Sequence, residues 1–309
     1  MMRKLAVVSL ALALACLSSN LAAQARPVTL GVALASDTNP FYIQVKRGID
    51  AKAKELGWNV SYVSANEVAA TQNDGIGDLI AKRVDAIIVS PIDSVAVAPS
   101  YDAAARAGIP IVSVVRTVQS PSQRVAVTGN FQKIGLDTGR WMAKAIGGAG
   151  KVAMIGGPAG ADLFRNFGMG FKAGIREHKG VSVVFEKEGP LTREFGLRMA
   201  EDILVAHPDI RGIYCGNDEQ ALGAAQAVAA VGKQGEIVIT GSNAVPAALR
   251  AVKAGAIAMT VDLRPFAWGQ LGTSTVARLL NGESLPAVVD IDYALIDKTT
   301  VDQALQGPK

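Results

Sequence analysis

Over nearly its whole length this sequence alternates short apolar runs of strand length with longer stretches of helical period. That alternation limits the chain to very few architectures. The apolar runs fall at residues 29–34, 59–63, 86–89, 109–115 and 125–127, then at 152–155, 181–185, 212–215, 237–240 and 257–261. Helical patterns fill the gaps, among them residues 41–56, 95–107, 134–146, 164–178, 195–206 and 221–231. Strands that are apolar on both faces must be covered on both faces, and strands separated by helices pair in parallel. The pattern therefore predicts an α/β protein with helices sandwiching mostly parallel sheets. The helix stops agree. Gly57, Gly108, Gly180 and Gly255 each follow a stretch ending in charged or small helix formers, where a left-handed glycine cap and a terminal cation are expected.

Roughly ten strands are too many for one small doubly wound domain, so a division is expected. The best break is the Pro/Ser/Gln-containing stretch 121–130, which precedes a new strand–helix series. Two similar halves follow, with a ligand cleft between their facing strand ends.

The first 25 residues have the anatomy of a secretory signal. Arg3-Lys4 precede an apolar core at residues 5–17, a polar break at Ser18-Ser19-Asn20 and small residues at Ala23-Gln24-Ala25. The core is shorter than the ~20 residues a membrane span needs. Cys16 could mark a lipoprotein site, but Ala13 and Leu14 fit that signal poorly, so cleavage after Ala25 is preferred. The secreted chain then keeps one cysteine, Cys215, at the end of an apolar strand, where a buried and inert thiol is expected. The formal charge is +4; without Arg3 and Lys4 it is about +2. Its Lys and Arg are scattered among Asp and Glu, which gives no support to a nucleic-acid surface.

The residues that usually carry chemistry are sparse. His178 and His207 sit apart at expected helix ends, and one mature Cys with two distant His offers no metal-ligand spacing. Gly147-Gly148-Ala149-Gly150-Lys151 resembles a phosphate loop but lacks its first Gly and its Ser/Thr, and precedes a strand; it reads as a turn. Gly156-Gly157-Pro158-Ala159-Gly160 follows a strand, but its spacing is wrong for a dinucleotide turn and Pro158 removes an amide. No nucleophile–base pair converges, and no cofactor is expected.

Polar residues at strand ends are the stronger signal. Asn39-Pro40 is a helix start by its own physics, with Asn as cap and Pro at the first helical position. Asn217-Asp218-Glu219 repeats that logic in the second half, and Asp218 reads as one more cap residue. Capping alone does not explain why Phe41 and Tyr42 crowd the first of these starts. Nor does it explain why Arg116 ends an apolar strand, or why Arg165 stands beside Phe164 one turn after the glycine-rich loop. Flat aromatic faces with Arg and Asn donors suit a polyhydroxylated ligand, whose hydroxyls must regain the hydrogen bonds they had in water.

On these residues the chain resembles the periplasmic sugar-binding proteins of the ribose-binding type, the extracytoplasmic receptors of ABC importers. The resemblance spans essentially the whole mature chain. It rests on Asn39-Pro40-Phe41-Tyr42, Ser90-Pro91-Ile92-Asp93-Ser94, Gly108-Ile109-Pro110-Ile111 and Ala206-His207-Pro208-Asp209. Its most specific part is Gly216-Asn217-Asp218-Glu219-Gln220-Ala221-Leu222-Gly223. It implies two Rossmann-like lobes, residues 26–128 with 263–290 and residues 129–262 with 291–309, after a signal peptide at 1–25. Three crossings near residues 128–130, 261–263 and 289–291 would form a hinge. It further implies a periplasmic, monomeric protein that takes a small carbohydrate or polyol and hands it to an inner-membrane ABC permease. Matching motif by motif, Asn39, Phe41, Tyr42, Ser90 and Arg116 correspond to ligand contacts of the first lobe. Arg165, Asn217, Asn243 and Asp262 correspond to contacts of the second lobe and hinge, with Leu191 and Arg193 in a loop at the cleft edge.

The departures bear on the ligand. Ribose binders carry an acidic residue where this chain has Val115, an aromatic–Asp pair where it has Ser242-Asn243, and commonly an amide where it has Asp262. Fewer carboxylate acceptors argue against a ribopyranose held in the usual way and for another polyol, a branched or furanose sugar, or a ligand with its own negative charge. The same fold also serves a periplasmic sensor of a furanosyl signal or sugar that docks on a chemoreceptor or sensor kinase, which is the alternative reading. A secreted α/β enzyme is the third.

Overall fold

The computed structural model describes residues 26–306. The expected signal segment, Cys16 and the last three residues lie outside the described residues.

The first sheet is built from β1 (Thr29–Ala33), β2 (Asn59–Val63), β3 (Ala86–Val89), β4 (Ile111–Val114) and β5 (Val125–Thr128), with a late strand, β11 (Val288–Asp290), at its edge. Its order is β11-β5-β4-β3-β1-β2 and every pair in it is parallel. The second sheet comprises β6 (Ala149–Gly156), β7 (Gly180–Glu188), β8 (Ile210–Cys215), β9 (Val238–Ser242), β10 (Met259–Asp262) and β12 (Ala294–Asp297), ordered β12-β10-β9-β8-β6-β7. Only β12 runs antiparallel there, against β10. β3, β4 and their neighbour β1 are almost wholly buried, which is why they read as unbroken apolar runs. β11 and β12 are short and partly exposed, and for that reason left no apolar run in the sequence.

Helices α1 (Pro40–Leu56), α2 (Ala69–Ala81) and α3 (Ala98–Arg106) belong to the first sheet; α4 (Phe131–Ala145), α5 (Asp162–Arg176), α6 (Arg193–Ala206), α7 (Asp218–Ala230) and α8 (Pro246–Ala254) to the second. α9 (Pro265–Leu280) returns to pack on α1, β3 and β4, and the short α10 (Val301–Leu305) lies on α8 and β12. The chain thus passes between the two sheets after β5, after β10 and between β11 and β12.

Gly57 and Gly255 end α1 and α8 in the left-handed conformation, with φ of 69° and 75°, their amides returning to the last helical turn. Gly108, φ 72°, follows α3 in the same way. Gly180 differs: its φ is not positive and it opens β7, the helix before it having ended at Arg176. Of the Gly147–Lys151 stretch, read from sequence as a turn, Gly147 and Gly148 form the turn at φ 82° and 79°, while Ala149 to Lys151 already belong to β6.

Glycine also sets how closely helices cross. A Cβ on Gly135 of α4 would stand 2.0 Å from the Phe167 carbonyl oxygen of α5, and one on Gly170 of α5 would stand 2.0 Å from the Gln132 carbonyl oxygen of α4. Two helix backbones meet there without side chains between them. The α1–α9 pair uses Gly48 and Gly269 in the same manner. Such rigid pairs hold the strand ends they flank at fixed positions.

Cys215 is buried at the end of β8, and burial pushes its thiol pKa well above the ordinary value. It behaves as a small apolar core residue. Among the described residues no helix is long and apolar enough to cross a membrane.

Candidate ligand-binding cleft

In each sheet the first strand has its next strand on one side and its third on the other. Between those diverging connections the carboxyl ends leave a crevice, where open α/β sheets bind ligands. Here the two crevices face one another. The space between them encloses about 390 Å³ not occupied by atoms, part of it open to solvent.

Two buried glutamines shape the paired strand ends. Gln72 of α2 donates to the carbonyls of Ala33 and Ser90 (3.0 and 2.9 Å) and accepts from the Ile92 amide (2.9 Å). Gln220 of α7 donates to Gly156 and Pro190 (3.1 and 2.9 Å) and accepts from Gly216 (2.9 Å). Each satisfies backbone groups that a sheet leaves orphaned where its strands splay apart. Gln220 stood in the Gly216–Gly223 motif without a role of its own, and Gln72 carried no signal beyond a polar side chain on the inward face of a helix.

The wall of the first half begins with Asn39. Its Oδ1 accepts from the Phe41 amide, so the amide nitrogen is left for the cleft. Phe41 and Tyr42 follow edge to face, ring centres 5.3 Å apart. The Tyr42 hydroxyl pairs with Ser90 Oγ at 2.9 Å, and burial raises its pKa, so it stays protonated. Arg116, only 1% exposed, lies between the rings of Tyr42 and Phe164, its guanidinium carbon 5.6 and 5.7 Å from their centres. Nη1 reaches Glu67 and the Ile92 carbonyl at 3.4 Å each, while Nε is buried without a partner among the described residues. Burial works against its charge, but Tyr42 and Glu67 together hold its pKa above the usual guanidinium value.

Asn217 anchors the opposite wall. It caps α7 through Oδ1 to the Gln220 amide (2.9 Å), and its Nδ2 donates to the Leu191 carbonyl (3.1 Å). Ser242 and Asn243 stand beside it at the end of β9. Phe164, Phe167 and Leu163 of α5 and Phe131 at the start of α4 complete the apolar surface. Phe131 in turn stacks on the buried Trp268 of α9, centres 6.3 Å apart and planes 7° from parallel.

Backbone strain gathers here. Val115 (φ 68°) and Asn243 (φ 119°) line the cleft, and Ala244 (φ 52°) and Arg264 (φ 51°) adjoin lining residues. A β-branched residue at positive φ is costly and persists only where its surroundings dictate it.

Of the residues expected from sequence, Asn39, Phe41, Tyr42, Arg116, Asn217 and Asn243 line one cleft, with Leu191 at its edge. Ser90 stands behind Tyr42 and reaches the cleft through it. Asp262 is turned to the Arg264 amide (2.7 Å), with burial raising its pKa. Arg165 is exposed, its guanidinium directed to the Ala159 carbonyl, and it does not line the cleft. Arg193 pairs with Glu219 at 2.9 Å. Asp218 is no cap: fully buried, it accepts from the Val245 amide (2.8 Å) and Thr260 (2.6 Å), tying α7 to β10 and to the start of α8. Burial raises its pKa to about 7 against those bonds. Phe131, Phe167 and Leu263 went unnoticed because each continues an ordinary apolar pattern.

Across the mouth the halves touch directly. The Ser94 amide donates to the Gly160 carbonyl (3.0 Å), Ser94 Oγ accepts from the Asp162 amide (3.1 Å), and Thr117 donates to the Asp162 carboxylate.

Two parallel-sheet halves meeting at their carboxyl strand ends, around a cleft of aromatics, amides and one buried arginine, define a two-lobed α/β binding protein of the periplasmic type I class. Residues 30–284 match the model of the periplasmic binding protein domain, and the chain belongs to that family. Among its relatives is the ribose import binding protein of Bacillus subtilis, 31% identical over 267 residues, which are 86% of each chain. A Mycobacterium smegmatis ABC transporter solute-binding protein solved with bound glycerol superposes at a TM-score of 0.86. It is 30% identical, over 92% of this chain and 98% of that one. A Bacillus halodurans solute-binding protein with bound myo-inositol superposes at 0.85, 27% identical, over 90% and 97%.

Proposed function

We propose that this chain is the extracytoplasmic solute-binding protein of an ABC importer, taking a small sugar or polyol in the cleft and presenting it to a membrane permease. One observation carries the reading: the rings of Tyr42 and Phe164 bracket Arg116, with Phe41 in the same wall, while Asn39, Asn217 and Asn243 converge from both sheets. Flat rings pack against the carbon face of a sugar ring, and directed amides replace the water its hydroxyls lose. The lining is aromatic and aliphatic side chains with amides, hydroxyls and one arginine, groups that hold a ligand by packing and hydrogen bonds.

Residues 26–128 with 263–290 form one lobe in this reading and 129–262 with 291–309 the other, joined where the chain passes between sheets. A ligand that contacts both walls binds the closed arrangement better than the open one, and that difference drives closure. The signal segment would deliver the chain to the periplasm as a monomer, where the closed form meets the permease.

Differential scanning fluorimetry of the mature protein against sugars, polyols and sugar acids, with amino acids and nucleosides alongside, tests this. A rise in melting temperature with a member of the carbohydrate series is expected. Stabilisation by an amino acid or nucleoside alone would end the reading.

A further inference from the structure

The hydrogen-bonding inventory of the cleft is lopsided. Its unengaged groups are mostly donors: the Asn39 amide nitrogen, whose partner oxygen is fixed by the Phe41 cap bond, the second hydrogen of Asn217 Nδ2, and the buried Nε of Arg116. Strong acceptors are missing, since no carboxylate lines the cleft wall. The backbone carbonyls of Asn39, Leu191, Gly216 and Val115 each already receive one bond, from Ile43, Asn217, Ser242 and Thr128, and keep one lone pair apiece. Asn243 Oδ1 and the hydroxyls of Tyr42 and Ser242 are the neutral side-chain acceptors that remain; Ser242 spends its hydrogen on Gly216 and Tyr42 is paired with Ser90. The unpartnered Asp162 oxygen belongs to the contact between the halves, not to the cleft wall.

A sugar hydroxyl brings a hydrogen that must be accepted, and a buried hydroxyl without an acceptor bears the full cost of its lost water. A carbonyl oxygen brings no hydrogen and asks only for donors. Arg116 is already flanked by Glu67, so what it offers is a directed N–H more than an uncompensated charge. Resting on the carbohydrate reading above, we infer that the ligand is an oxidised sugar derivative, an aldonate or its lactone, whose carbonyl oxygen lies against Arg116 and Asn39.

Val115 makes the idea testable from the other side. It lies at the cleft beside Arg116, and its positive φ is one that Asp and Asn adopt more readily than Val. Val115→Asp would therefore add the missing acceptor where the backbone welcomes it.

The experiment is calorimetric titration of the mature protein with matched sets sharing one carbon skeleton: ribitol, D-ribose, D-ribonate and D-ribono-1,4-lactone, repeated with the four- and six-carbon analogues. In the best-fitting skeleton the aldonate or lactone should bind at least tenfold more tightly than the alditol, and the two arms tell whether charge is read along with the carbonyl. Val115→Asp, with Val115→Asn as the uncharged counterpart, should shrink that ratio or reverse it. Tighter binding of the alditol or free sugar by the native protein would overturn the inference and leave the carbohydrate reading intact. If no compound in the series binds while a nucleoside or amino acid does, the carbohydrate reading itself falls.

Discussion

Gly160 sits where the two halves meet, and adding one methyl group there should hold them apart. A Cβ on Gly160 would lie 2.1 Å from Oδ2 of Asp93, well inside contact distance. Asp93 cannot easily swing aside, because its other oxygen accepts from the amides of Val95 and Ala96 at 2.8 Å each. The φ of Gly160 is not positive, so alanine is acceptable to the backbone and the contact is the whole perturbation. Relieving it by parting the lips sacrifices the Ser94–Gly160 bond, the Asp162–Ser94 bond and the Thr117–Asp162 bond. At about 0.5–1.5 kcal/mol net for each bond, the closed state loses roughly 1.5–4.5 kcal/mol relative to the open one. When only the closed state binds tightly, apparent affinity falls with its population, by about 10-fold to 1000-fold over that range. Calorimetry with the tightest ligand of the sugar series measures the loss, and small-angle scattering of the free protein should show Gly160→Ala more extended than the native chain. Both lobes keep their cores, so the melting temperature without ligand should stay within a degree or two. Gly160→Ala binding as tightly as the native protein would refute the closure argument.

Three further outcomes follow from the geometry. Asn217→Ala removes both the cap of α7 and the bond to Leu191, so it should destabilise the ligand-free protein by about 1–3 kcal/mol as well as weaken binding; chemical denaturation reads the first effect directly. Gly170→Ala drives a methyl into the Gln132 carbonyl at 2.0 Å, a backbone atom that cannot rotate away. It should cost at least the 1–3 kcal/mol typical of overpacking, visible as a drop of several degrees in melting temperature. Asp218 carries a pKa raised to about 7 in the folded chain, above its value of 3.8 when unfolded. The native state therefore holds a proton that the unfolded chain has released between those values. Its contribution is fully present below about pH 4, falls as the pH rises towards 7 and is flat beyond; denaturant midpoints across pH 4–8 should show that slope diminished in Asp218→Asn.

Most of the architecture could be read from the chain because parallel strands buried on both faces must be apolar throughout. β1, β3 and β4 advertise themselves for that reason. β11 and β12 did not, since three or four half-exposed residues at a sheet edge carry no pattern of their own and exist only where a neighbouring strand pairs with them. Capping was legible for a local reason: Asn39 and Asn217 bond to amides two and three residues away, so the sequence neighbourhood contains the whole interaction. Gly180 misled because a glycine after a basic pair satisfies the cap rule whether or not the helix reaches it.

The cleft was legible in one direction only. Residues whose chemistry is unusual for their place, such as an arginine ending an apolar strand, could be noticed, and Arg116 does line the cleft. Residues whose chemistry is ordinary could not, and Phe131, Phe167 and Leu263 make up much of the wall. Arg165 is placed differently: Phe164 faces Arg116, while the Arg165 guanidinium is exposed and directed to the Ala159 carbonyl. Phe41 and Tyr42, in the first turn of α1, both reach the cleft, edge to face, and Tyr42 is tethered by Ser90. What a lone sequence does not supply is the state of each donor and acceptor once the backbone has taken its share. Asn217 looked like a ligand contact, yet its oxygen is occupied by the helix it caps and one hydrogen by Leu191. What the cleft offers a ligand is therefore what remains after folding: the free N–H groups of Asn39, Asn217 and Arg116 beside an apolar wall without a carboxylate, a property of the folded arrangement that no single residue type announces.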